Sequence, residues 1–119
     1  MSGEAPVGTL CDPGPHTSAS REEALAILEK RAEEAARLLA ALGQSKRLMA
    51  LCRLMETEMS VGALAEAVGL GQSALSQHLA RLRDLGLVAT RREGQTIYYR
   101  LASDNARRLI ELLYELYCR

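Results

Sequence analysis

The chain has no apolar run approaching the roughly 20 residues that a membrane span requires. Nor does its N-terminus carry a basic region followed by an apolar stretch, so no export signal is expected. The expectation is a cytoplasmic protein, in a compartment where thiols stay reduced. Net charge is missing as well: 15 basic residues against 15 acidic ones give zero. Taken as a sum, that balance argues against a polyanionic partner. Cysteine is scarce. Cys11, Cys52 and Cys118 form no C-x-x-C pair, and an odd count argues against a disulfide framework or a local metal cluster. No segment repeats, and proline stops at position 15.

Residues 1–19 hold all three prolines and three glycines, and read as a disordered N-terminal tail. Cys11 and His16 fall there, and two ligands on a mobile segment hold a metal poorly. Residues 20–119 read as one domain with a modest core, a size at which small helical regulators gain stability by dimerising.

Ser20 and Glu23 make a capping box. The helix that follows carries Leu25, Leu28, Ala32, Ala35, Leu39 and Leu42 at alternating spacings of three and four, a seam for packing against another helix. Gly43 ends it, and Ser45 is placed to cap a second helix, Lys46–Thr57, whose apolar stripe is Leu48, Leu51, Cys52 and Met55. Ser60–Val68 forms a third helix, and Gly69-Leu70-Gly71 a sharp reversal. From Gln72 to Leu85, Leu75, Leu79, Leu82 and Leu85 recur at helical spacing, which turns Ser73, Ser76, Gln77 and Arg81 outward. His78 sits nearer the inner flank. Leu87–Arg92 and Gln95–Leu101 then flank Glu93-Gly94 as a two-stranded hairpin. A last helix runs from Ser103 to Cys118, with Leu109, Ile110, Leu112, Leu113, Tyr114, Leu116 and Tyr117 spread over most of its circumference. So broad an apolar surface needs two neighbours. The expected fold is mainly α with a small β-hairpin wing: a winged helix-turn-helix of five helices, dimeric through the first and last.

Two helices joined by a glycine turn, the second presenting small hydrogen-bonding side chains, can offer base-reading groups to a major groove. Local charge supports double-stranded DNA as the partner. Between Ser73 and Arg100, five arginines (Arg81, Arg83, Arg91, Arg92, Arg100) face two acids (Asp84, Glu93), a balance of +3. Arg91 and Arg92, near the hairpin tip, are the phosphate candidates, while Tyr98 and Tyr99 suit bracing. An enzyme is not expected, because Cys52 has no nearby base and His78 stands on the DNA-reading helix.

The segment Gln72-Ser-Ala-Leu-Ser-Gln-His-Leu-Ala-Arg-Leu-Arg-Asp-Leu-Gly-Leu-Val88, with Arg91-Arg-Glu-Gly-Gln-Thr-Ile-Tyr-Tyr-Arg-Leu101 after it, resembles the ArsR family of dimeric winged-helix repressors. The resemblance spans roughly residues 36–118. It implies base reading by Gln72, Ser73, Ser76 and Gln77, and a homodimer on operator DNA. Many members sense metals, but here Ser60 and Gly62 stand where thiolate ligands would be, and the last helix has no histidine to join Asp104. No metal or other cofactor is expected. Cys52 and Cys118 instead match, in element and surroundings, the cysteine pair of the family's persulfide-responsive members. That match implies that reactive sulfur species join them through a di- or polysulfide and release the operator. Which thiol attacks first, and whether Arg53, Arg119 or the backbone activates it, stays open. Peroxide, another electrophile, a thiolate-bound metal or haem are the alternative inducers. Taken singly, Cys52 also suits a small core residue, and Cys118 a frayed end.

Overall fold

A computed structural model describes residues 18–118. Most of the expected tail, including Cys11 and His16, and Arg119 lie outside the described residues. The chain divides into two units between Ala36 and Arg37. Helix α1 (Ser18–Lys30) belongs to the first, and the division falls within α2 (Ala32–Leu42). Helix α3 is Ser45–Glu56, β1 Met59–Ser60, α4 Val61–Val68 and α5 Gln72–Asp84. Strands β2 (Val88–Glu93) and β3 (Thr96–Leu101) and helix α6 (Asp104–Tyr117) complete the described chain.

Among the described residues there are six helices, not the expected five, because the first seam breaks at Arg31. Its N–H reaches back only three residues, to Leu28 O at 2.9 Å, and its guanidinium forks onto Glu34 at 2.8–3.1 Å. The tightened turn ends one helix and starts the next. The first helix also begins at Ser18, which puts Ser20 inside its first turn. At α3 the cap is Gln44, not Ser45: the Gln44 side chain accepts from Arg47 N–H at 2.7 Å. Ser60 and Ser103 cap α4 and α6, accepting from Ala63 N–H at 3.2 Å and Ala106 N–H at 3.0 Å.

In the second unit, Leu51, Leu64, Leu75, Leu79, Leu82 and Ile110 are fully buried, which joins α3, α4, α5 and α6 around one core. Lys46, at the start of α3, donates from Nζ to Val68 O at 2.9 Å, tying α3 to the last carbonyl of α4. There Gly69 takes φ 74°, a left-handed conformation that glycine reaches without a Cβ clash, and the chain turns into α5.

The wing is a three-stranded antiparallel sheet in the order β1-β3-β2, one strand more than the hairpin read from sequence. Met59 pairs with Tyr99 and Ser60 with Tyr98, a segment too short to announce itself by alternation. The hairpin turn is Gly94-Gln95, one residue later than expected, since Glu93 still pairs with Thr96. Gly94, at φ 63°, stands first in that two-residue loop, where a type II′ turn calls for glycine.

Candidate nucleic-acid interface and thiol pair

Helix α5 has two distinct faces. Leu75, Leu79 and Leu82 are 0% exposed, while Gln72, Ser73, Ser76, Gln77 and Arg81 are all exposed, as their spacing predicts. His78 is half-buried on the flank. Gln72 leans back on α4: a Cβ at Gly62 would lie 3.3 Å from its Nε2. An open groove of about 450 Å³ runs between α5 and the wing, lined by Ser60, Val61, Gly62, Ser76, Gln95, Thr96, Ile97 and Tyr99.

The structure separates the two wing arginines that the sequence pairs. Arg92 is exposed and makes no ion pair among the described residues. Arg91 is fully engaged. Its Nε donates to Glu58 Oε1 at 2.6 Å, its Nη1 to Glu93 Oε1 at 3.1 Å, and its guanidinium lies over the Tyr98 ring at 4.7 Å. The hydrogen bond from Arg91 holds the Glu58 carboxyl below its ordinary range, and both carboxylates raise Arg91 above its own. Glu58 lies 33 residues away in sequence, so a local charge count omits it. Including it, five arginines face three acids and the balance falls to +2.

The second constellation is built by α3 and α6. Cys52 is half-buried on α3 beside the core, and Cys118 is exposed just past α6, its N–H bonded to Tyr114 O at 2.8 Å. Tyr114, on α6, lies near enough to both for its hydroxyl to act on the Cys52 thiol. Burial pushes the Cys52 thiol up. The Tyr114 hydrogen bond opposes that, and a charge on the nearby Cys118 adds to the rise. Burial also raises Tyr114, followed by its bond to Cys52 and the charges of Cys52, Glu56 and Cys118. No arginine contributes to the Cys52 shift, contrary to the suggestion from Arg53, and Arg119 is outside the described residues. Sequence reading counted Tyr114 as part of an apolar stripe. Its position four residues before Cys118, one helical turn away, was the available signal. Among the described residues no three His, Cys, Asp or Glu side chains gather to hold a metal ion. Nor is any described helix long and apolar enough to cross a membrane.

A helix-turn-helix with an outward polar face, flanked by a basic wing, defines a winged-helix DNA-binding protein. Comparison with known proteins gives the lineage. Residues 44–90 match the family of bacterial regulatory proteins called arsR. The transcriptional activator HlyU of Vibrio cholerae is 50% identical over 92 residues, 77% of this chain and 85% of that protein. Its reduced form superposes with a TM-score of 0.72, covering 77% of this chain and 97% of that one. The biofilm growth-associated repressor of Agrobacterium fabrum is 50% identical over 94 residues, 79% of this chain and 80% of that protein. A homodimeric winged helix-turn-helix DNA-binding domain from Mycobacterium bovis is 35% identical with a TM-score of 0.66, covering 75% and 82%. The chain belongs to the ArsR family. It is a DNA-binding transcriptional regulator, not an enzyme.

Proposed function

We propose that this protein is a cytoplasmic, homodimeric repressor whose reduced form holds operator DNA and whose Cys52 and Cys118 become joined by reactive sulfur species, releasing it. The observation that carries the reading is that Cys52, Tyr114 and Cys118 lie near enough to act on one another electrostatically within one unit of the chain. Gln72, Ser73, Ser76, Gln77 and Arg81 contact the operator from α5, and Arg92 contacts its backbone from the wing. The dimer forms through the first helical segment, α1 with α2, and the last, α6. Each leaves apolar side chains uncovered, Leu25, Ile27 and Leu28 on one and Leu112, Leu116 and Tyr117 on the other. The relative HlyU of Vibrio cholerae has been solved in a reduced form.

Exposure supports one order of attack. Cys118 meets the donor first, while Cys52, half-buried and raised, resolves. Cys118 thiolate takes the terminal sulfur of a persulfide RS–SH, and RS⁻ leaves. Cys52 then attacks the Cys118 sulfur of the new persulfide, and HS⁻ leaves. The sum is two thiols plus RSSH giving a disulfide, RSH and H₂S. Where a second RSSH first converts Cys52 to its own persulfide with loss of RS⁻, attack of that persulfide on the Cys118 sulfur expels HS⁻ and leaves a trisulfide, so each added sulfur takes one further donor and releases one further RSH. Linking α3 to α6 then changes the spacing of two recognition helices that must lie about 34 Å apart, and a coupling of about 1–3 kcal/mol weakens operator binding roughly 5- to 150-fold.

Mass spectrometry after polysulfide and after peroxide treatment, run beside operator binding, tests this. A Cys52–Cys118 cross-link containing added sulfur, formed as DNA is released, is expected from polysulfide. Equal release by peroxide would move the inducer to an oxidant. Retained sensitivity after Cys52→Ser or Cys118→Ser would end the thiol mechanism altogether.

A further inference from the structure

The pleat of the wing sorts its charges. Along β2, Val88, Thr90 and Arg92 share one face, and along β3 Ile97, Tyr99 and Leu101 share it with them. That face is the inner one. Val88 and Leu101 are buried in the core, and Ile97 and Tyr99 line the groove beside Ser76 of the recognition helix. Arg91 belongs to the opposite face, together with Glu93, Tyr98 and Arg100. Glu58 reaches that face from the link between α3 and β1.

We propose that Glu58 and Arg91 are positioning residues that brace the wing for DNA binding, and that Glu58 strengthens operator binding in spite of its negative charge. The inference rests on the DNA-binding reading and is independent of the thiol chemistry. Arg91 has every guanidinium nitrogen on a carboxylate: Nε and Nη2 on Glu58, Nη1 on Glu93. Tyr98 closes one face of its plane. A planar fork held on two sides and stacked on a third fixes a direction, which a flexible ammonium would not. The brace joins the outer strand, β2, to the residue that precedes β1, so it spans the sheet across β3. The two-residue β1 supplies few backbone bonds for that task. Arg92 and the groove-side residues of the hairpin then approach DNA from a defined wing.

Two single variants discriminate, because charge and bracing predict opposite signs for one of them. If only charge matters, Glu58→Gln removes a repulsion and tightens binding, while Arg91→Gln loosens it. If the pair braces the wing, both variants loosen binding, by roughly 3- to 10-fold each as expected for an exposed pair with a stacked cation. The slope of log affinity against log salt should stay within a few tenths of wild type in both, whereas Arg92→Gln should flatten it by about 0.9, one phosphate. Exchanging the partners, Glu58→Arg with Arg91→Glu, should recover at least half of the lost affinity at unchanged net charge. Circular dichroism and melting confirm that each variant is folded. Tighter binding by Glu58→Gln, a flattened salt slope in Arg91→Gln, unchanged affinity in either, or failure of the exchange to rescue overturns the proposal.

Discussion

Replacing Tyr114 by Phe removes one hydroxyl from the thiol site and leaves the ring, so it isolates the hydrogen bond to Cys52. A hydrogen bond to a charged acceptor contributes about 1.5–3 kcal/mol when buried. Tyr114 is 37% exposed, so solvent screening reduces that to about 0.7–1.4 kcal/mol. The bond lowers the Cys52 pKa, and its loss therefore raises it. Below the new midpoint the thiolate fraction falls about 3- to 10-fold, but a more basic thiolate is a better nucleophile, with a Brønsted slope of about 0.4–0.5. The net expectation at neutral pH is alkylation slowed about 2- to 4-fold. Well above the midpoint the order reverses, and the variant reacts faster. Iodoacetamide alkylation of Cys52, followed by mass spectrometry across pH in a Cys11→Ser, Cys118→Ser background, reads both regimes. A midpoint that stays put or falls would refute the argument. So would slowing by one factor at every pH, since that signals access and not acidity.

Leu79→Ala empties a fully buried position beneath the recognition helix and should cost about 2–5 kcal/mol, seen as a lower melting temperature with operator binding lost in proportion to unfolding. Gln77→Ala should weaken operator binding by about 1–3 kcal/mol while leaving random-sequence DNA nearly unaffected, and competition titrations separate the two. Leu116 is 54% exposed on α6. Its replacement by Glu withdraws about 1 kcal/mol of burial from each protomer, roughly 30-fold in the dimer constant before any charge burial is counted, which sedimentation measures.

Much of the architecture could be read from the chain because each signal is local. Leucines at 75, 79 and 82 define the inner face of α5, and the same spacing turns Ser76 and Gln77 outward. Glycine at 69 marks the reversal because only its φ of 74° completes it. What escaped depends on partners far away in sequence. Strand β1 exists because β3 pairs with it, not because two residues have a pattern. Arg91 looked available until Glu58, remote in sequence, folded against it. The break at Arg31 interrupts no apolar spacing, so periodicity runs straight through it. In the thiol pair, the residue types and helices were legible, but the part of Tyr114 beside them was not, since a hydroxyl on an apolar stripe reads as surface until its acceptor is known.

Helix α3 is moored at both ends to the parts that meet DNA. Lys46 clasps the last carbonyl of α4 where the chain swings into α5, and the other end runs directly into β1, stitched to the wing. Cys52 lies between these moorings, like a finger on the beam of a balance. On the proposed thiol chemistry, a pull there would be delivered to recognition helix and wing together, so release from DNA would need no separate messenger for each.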